Sequence, residues 1–118
     1  MTKLQETFNA KCTKEECRFI AKKAQTKFRV LSNNRRIKKR AKLFQALGNE
    51  TRLRIAGLLS MQEMCSCEIV EALNGSASTI THHLRMLEDA ELIASRQVGK
   101  FTIYSLNNEP LTRHRIFD

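Results

Sequence analysis

The chain has 118 residues and carries 21 Lys and Arg against 12 Asp and Glu, a formal net charge of +9 with a pI near 9.8. This length supports one domain with a modest core rather than two, and the charge calls for a polyanionic partner, most simply nucleic acid. No apolar run reaches membrane-spanning length and no apolar signal core follows Lys3, so the expectation is an intracellular, cytoplasmic protein without a membrane partner.

The charge is unevenly spread. Residues 1–47 hold 14 basic and 3 acidic side chains, whereas residues 48–118 hold 7 and 9. A basic arm thus precedes a nearly neutral half. Residues 1–11 carry little pattern. From Thr13 to Leu31 the residues Cys17, Ile20, Ala21, Ala24, Phe28 and Leu31 recur at three- and four-residue spacing and predict one amphipathic helix. Ser32-Asn33-Asn34 breaks it and can cap a second helix, Arg35 to Leu47, whose stripe reads Ile37, Ala41, Phe44 and Leu47. The run RRIKKRAK within it is a solvated face or a phosphate-contacting one, and charge runs on helices are usually solvated.

Gly48-Asn49 supplies a C-cap and an N-cap. Glu50 opens a third helix, with an acid where the helix dipole favours one and Leu53, Ile55, Ala56 and Leu59 inward. Gln62 to Met64 is read as a connection. A short helix from Cys67 to Leu73 turns Ile69, Val70 and Leu73 inward and stops at Asn74-Gly75. Ser76 then caps a polar helix reaching Asp89, in which Ile80, Leu84 and Leu87 share one side. Two helices joined by a short Gly-containing turn are the helix-turn-helix plan. The outer face of the second helix offers Ser78, Thr79, Thr81, His82 and Arg85 to base edges in a major groove. Of the adjacent histidines, His82 is the groove candidate and His83 a structural residue with a buried hydrogen bond.

Two β-prone runs, Ile93 to Val98 and Phe101 to Leu106, flank Gly99-Lys100 and predict a hairpin with a II′-type turn. Arg96 and Lys100 are expected near its tip, on phosphates. Pro110 ends the hairpin region, and the eight residues after it suffice for about two helical turns. The expected fold is mainly α with a small β-hairpin, a dimeric winged helix-turn-helix. Residues 1–34 are its N-terminal arm and amphipathic helix, 35–107 its DNA-binding domain and 108–118 a short tail.

The four cysteines fall into two close pairs, Cys12 with Cys17 and Cys65 with Cys67. In a reducing compartment they are more readily thiols or metal ligands than a disulfide frame. Residues two apart do not face each other in a regular helix, so Cys65 and Cys67 can meet one ion only at a helix start. A helix N-terminus also lowers a thiol pKa and favours the thiolate that binds soft metals. Cys12 and Cys17, five apart, likewise need irregular backbone to converge. Free cysteines also serve as small apolar core residues, but the pairing of all four favours ligands.

From Ala41 to Asn107 the chain resembles the ArsR/SmtB family of winged-helix repressors. ALGNETRLRIAGLL resembles its second core helix and EMCSCEIVEAL its metal-box helix. STITHHLRMLEDAELI resembles its recognition helix and VGKFTIYSL its wing. The resemblance implies a homodimer on a near-palindromic double-stranded operator, with repression relieved by an effector. In the cadmium- and lead-sensing branch, an N-terminal cysteine pair of one subunit joins the Cys-x-Cys of the other. In the arsenic-sensing branch three thiolates suffice. The effector is therefore As(III)/Sb(III) or Cd(II)/Pb(II) on Cys65, Cys67, Cys12 and Cys17, and no cofactor is required for folding. Two departures stand out. Glu91 replaces the family's usual Gly after the recognition helix, and the C-terminal tail is short, so the helices at 13–31 and 35–47 should carry the dimer.

The alternative within the same fold is a thiol-based redox or persulfide-responsive regulator. An enzyme is not expected: no base is patterned beside a cysteine, and neither a Gly-rich phosphate loop nor an acid pair is present. A winged-helix interaction module without DNA sits poorly with the basic charge and the Thr/His/Arg face.

Overall fold

The computed structural model describes residues 12–118. They divide into two compact units, one ending at Lys38 and the other running from Lys39 to Asp118.

The first unit holds α1 (Lys14–Lys27), α2 (Arg29–Ser32) and the start of α3 (Asn34–Leu47). Thr13 caps α1, its hydroxyl accepting from the backbone N–H of Glu16 at 3.1 Å. The single helix expected from Thr13 to Leu31 is interrupted at Phe28, which leaves helical geometry at φ −114° and ψ 97°. Neither Gly nor Pro is responsible. Thr26 turns its hydroxyl back onto the Lys22 carbonyl at 3.0 Å, a bond that weakens helices, and Phe28 adds poor helix propensity. No residue of α1 is buried. Phe19 and Ile20 are 67% and 59% exposed, so the expected stripe faces water in the single chain. Asn33 starts α3, its Oδ1 accepting from the N–H groups of Arg35 and Arg36.

The second unit is built around the far end of α3, then α4 (Glu50–Met61), β1 (Met64–Cys65), α5 (Ser66–Leu73), α6 (Ala77–Asp89), β2 (Ile93–Val98), β3 (Phe101–Leu106) and α7 (Asn108–Arg113). The stripe read along α3 needs correction. Its buried residues are Leu43, Ala46 and Leu47, while Phe44 is 45% exposed and Ala41 is exposed. The helix carries two apolar stripes at helical spacing, and only packing selects which one enters the core.

Ile55, Ile69, Ile80, Leu84, Leu87 and Leu92 are almost wholly buried and come from α4, α5, α6 and the turn after it. Each contributes about 1.5–3 kcal/mol of hydrophobic stabilisation relative to exposure. Leu111 of α7 is buried in the same cluster and Ile116 packs against it. Pro110 therefore lies in the first turn of a helix, where its missing N–H costs nothing.

The hairpin gains a third strand. Met64–Cys65, read from sequence as a connection and a helix approach, pairs antiparallel with β3 to give the order β1-β3-β2. Gly99 takes φ +61° at the hairpin turn and Lys100 does not take a positive φ, the pattern of a II′ turn.

Three helix ends close through a left-handed residue other than glycine: Asn74, Glu91 and Arg115. After α6, Glu91 N–H donates to the Glu88 carbonyl and Leu92 N–H to Leu87. This is the Schellman arrangement, and it swings Leu92 into the core. Among the described residues no helix is long and apolar enough to cross a membrane.

Candidate DNA-reading face and cysteine pairs

Helices α5 and α6 are joined by Asn74, Gly75 and Ser76. Ser76 caps α6, its hydroxyl accepting from Thr79 N–H at 3.3 Å. Burial of Ile80, Leu84 and Leu87 fixes which side of α6 faces inward. Ser78, Thr81, His82 and Arg85 then share the outer face at i, i+3, i+4 and i+7, and all four are exposed. Thr79 is exposed too but lies on the shoulder of that face. Two hydroxyls already have local partners. Ser76 donates to Thr79 Oγ1 at 2.7 Å, and Thr81 donates to the Ala77 carbonyl at 2.8 Å. Each keeps acceptor capacity for an outside donor.

On the wing, Lys100 occupies the turn itself, its ammonium 5.7 Å from the Phe101 ring centre. Arg96 stands further back, opposite Ile103 and three rungs from the turn. Its guanidinium is ion-paired with Glu63, just before β1. A phosphate would have to take Arg96 from that carboxylate. Both partners are about half exposed, so the exchange is between two solvated pairings of low intrinsic strength.

Cys65 is the residue preceding α5, in extended geometry at φ −81° and ψ 164°, and Cys67 lies in the first turn. The break from helical backbone between them brings their sulfurs to 2.7 Å. Cys65 N–H donates to Glu68 Oε1 at 2.9 Å, half of a capping box that pins this start. The same bond holds the Glu68 carboxyl below its ordinary pKa. Sequence reasoning expected a lowered thiol pKa here, and the structure corrects that. The hydrogen bond with Cys67 raises the Cys65 thiol, outweighing the Glu68 backbone N–H that pulls it down.

Cys12 and Cys17 meet by a different device. Thr13 is the N-cap of α1, so Cys12 precedes the cap and Cys17 is the fourth helical residue. These are the hydrophobic-staple positions. Their sulfurs stand 2.6 Å apart, and the hydrogen bond from Cys17 raises the Cys12 thiol pKa. Each pair belongs to a different unit. Among the described residues no three or more His, Cys, Asp or Glu gather as a metal-holding group.

One residue packed against α6 was missed from sequence. Arg52 of α4 is a charged residue in the core, 8% exposed. Its Nε donates to the Ala46 carbonyl, its Nη2 to Gln45, and its Nη1 faces His83 Nδ1 and Met86 Sδ, each at 3.2 Å. The expected structural role of His83 thus has a named partner. The overlooked signal was its position: Arg52 lies three, four and seven residues before Ile55, Ala56 and Leu59, on the buried face of α4.

A profile described as "Bacterial regulatory protein, arsR family" matches residues 49–95. The chain is 39% identical over 69 residues to the transcriptional repressor SdpR of Bacillus subtilis, covering 58% of this chain and 77% of that one. The chain belongs to the ArsR family. It is also 40% identical over 70 residues to a cadmium resistance transcriptional regulatory protein CadC homolog of Staphylococcus aureus, covering 58% of each. Against an arsenical resistance operon repressor of Staphylococcus xylosus it is 37% identical over 67 residues, covering 57% of this chain and 64% of that one. The match thus spans about three fifths of these two relatives' lengths.

The homodimeric winged helix-turn-helix DNA-binding domain of a possible ArsR-family regulator from Mycobacterium bovis superposes with a TM-score of 0.61. It is 27% identical, with 66% of this chain and 72% of that one covered. The mainly helical fold with its small antiparallel sheet is the winged helix-turn-helix of this family, whose members regulate transcription. Arg52, His83, Cys65 and Cys67 all fall inside the matched segment, whereas Cys12 and Cys17 precede it.

Proposed function

We propose that this ArsR-family chain is a cytoplasmic, homodimeric repressor that binds double-stranded operator DNA and releases it when a soft ion occupies its cysteines. The ion is As(III)/Sb(III) or Cd(II)/Pb(II). The observation that carries this reading is the pair of sulfurs at the start of α5, 2.7 Å apart and directed at one another by a helix start. Thiolates prefer soft ions over oxygen-seeking ones, and relatives of this chain are named for cadmium and arsenical resistance. Cys12 and Cys17 are the candidates to complete the shell from a second subunit.

The sheet supports a route from ion to DNA. Cys65 lies directly opposite Ile103, and Ile103 directly opposite Arg96. Directly opposed residues of antiparallel strands project from one face, so the thiol and the wing arginine share a cross-strand row. Moving Cys65 onto an ion pulls on the wing through backbone hydrogen bonds. The usual size of such coupling is about 1–3 kcal/mol, and it acts in both directions. The dimer reading rests on the exposed Phe19, Ile20 and Phe44 of α1 and α3 and on the homodimeric Mycobacterium bovis relative.

The test is DNA binding by single Cys→Ser proteins, with and without Cd(II) or As(III). Cys65→Ser and Cys67→Ser are expected to bind operator and ignore the ion. Loss of response in Cys12→Ser or Cys17→Ser selects the four-cysteine arrangement, and an unaltered response confines sensing to α5. Four variants that all respond like the parent protein would sink the reading.

Two sulfurs this close also suit a second reading, oxidation of each pair to a disulfide by a peroxide, which takes up the two electrons and two protons and leaves as water. Ion binding produces ultraviolet thiolate-to-metal absorption and proton release under reducing conditions, whereas oxidation by a peroxide produces neither and is reversed by a phosphine reductant that carries no thiol.

A further inference from the structure

A guanidinium in a protein core needs every one of its donors answered. Arg52 places four of its five N–H donors on protein acceptors, with no carboxylate among them. Its partners are the last-turn carbonyls of α3 and two side chains of α6. Gln45 and Ala46 are among the final residues of α3, whose carbonyls lack intrahelical donors and form the negative end of the helix dipole. That end holds the positive charge in place. The backbone N–H of Arg52 is itself fixed by the Asn49 cap at 3.1 Å. Anchored at both places, the fork reaches α6 at His83 and Met86, three residues apart on one flank of the helix. Arginine has no acceptor, so Arg52 donates and His83 Nδ1 must be the unprotonated nitrogen, with the ring proton on Nε2.

We propose that Arg52 is the positioning residue of the DNA-reading helix. It grips His83 and Met86 and so fixes the rotation of α6 about its own axis, and with it the aim of Ser78, Thr81, His82 and Arg85. This rests on the reading of α6 as the base-contacting helix. Leverage makes the grip consequential. Side-chain tips lie about 5–6 Å from a helix axis, so a 10° rotation displaces them by about 1 Å. A base-edge hydrogen bond near 2.9 Å does not survive that stretch. Apolar burial of Ile80, Leu84 and Leu87 fixes which face of α6 points inward, but it is non-directional and tolerates small rotations. A two-point grip by a planar fork does not. Phosphate contacts are less demanding, so sequence preference depends on Arg52 more than overall DNA affinity does. Lysine cannot replace it, because one ammonium cannot span the α3 carbonyls and α6 together.

The experiment uses the full chain and a duplex carrying its operator, identified by selection from random sequences, against a scrambled duplex of equal length. Arg52→Lys keeps the charge and loses the fork. It is expected to lower the ratio of specific to non-specific affinity about ten-fold, the discrimination of one good base contact, with non-specific affinity little altered. Imidazole ¹⁵N shifts are expected to show His83 held in the Nε2–H tautomer in the parent protein and released from it in the variant. His83→Asn preserves an acceptor facing Arg52 and should keep the ratio, whereas His83→Leu should lose it. An Arg52→Lys protein with the parent ratio and an unaltered His83 tautomer overturns the proposal. Should Arg52→Lys not fold, equal ratios in His83→Asn and His83→Leu overturn it instead. Arg85→Ala is the control on α6 itself. If it leaves operator affinity unchanged, the reading of α6 falls and the role of Arg52 falls with it. If Arg85→Ala weakens binding while Arg52→Lys does not, only the positioning role is lost.

Discussion

Glu91 shows how a single residue records a compromise. Its φ of 61° is left-handed, where a Cβ costs about 1 kcal/mol that glycine avoids. Its carboxylate is 3.0 Å from Lys39 Nζ, but both side chains are about 70% exposed, so the pair returns little and is screened by salt. Glu91→Gly is therefore expected to raise the melting temperature by a few degrees, with a larger gain at high salt. A lower melting temperature in high salt would contradict this. His83 makes the second residue-scale case. Burial holds its pKa below the ordinary histidine value of 6.5, with Arg52 and then His82 adding to the effect. The unfolded chain then binds the proton more readily than the folded one. The stability from neutral His83 is present above about pH 6.5 and is lost as pH falls below it. Denaturant unfolding at pH 7.5 and pH 5.5 is expected to give a lower midpoint at the acid value, and His83→Asn should reduce the difference.

At the scale of elements, α7 is more than a tail. Leu111 is 5% exposed within the core cluster, and a left-handed Arg115 turns Ile116 back towards it. Leu111→Ala is expected to cost about 2–4 kcal/mol, read as a reduced urea midpoint with unchanged slope, and a loss below about 0.5 kcal/mol would remove α7 from the core. Several elements were legible because their signals are local. Asn33 and Asn49 cap helices where the sequence placed starts, and Gly99 sets the hairpin turn. Strand β1 was not legible, because two residues, Met64 and Cys65, carry no alternation. They are a strand only because β3 lies beside them. The split at Phe28 was equally hidden, since the apolar spacing continues through it.

For the whole molecule the electrostatics are divided like the chain. The half that holds α6 and the wing is nearly neutral and the basic excess lies upstream, so few wing charges carry the phosphate contacts proposed there. Lys100→Ala is expected to weaken specific and non-specific duplexes alike and to flatten the dependence of affinity on salt by about one counterion. An unchanged slope would take the wing off the backbone. The helix-turn-helix, the wing, the exposed face of α6 and the closeness of each cysteine pair are legible in the order of the residues. Caps, turns and helical periodicity act over a few residues and are written in the order of the chain. Packing settles that Leu43 and Ala46, rather than Ala41 and Phe44, line the core, that Arg96 faces Glu63, and that Arg52 meets His83 and Met86. The arginine contacts join groups between 6 and 34 residues apart in the chain, and a side chain's partner at that distance is set by which surfaces pack, not by its neighbours in sequence.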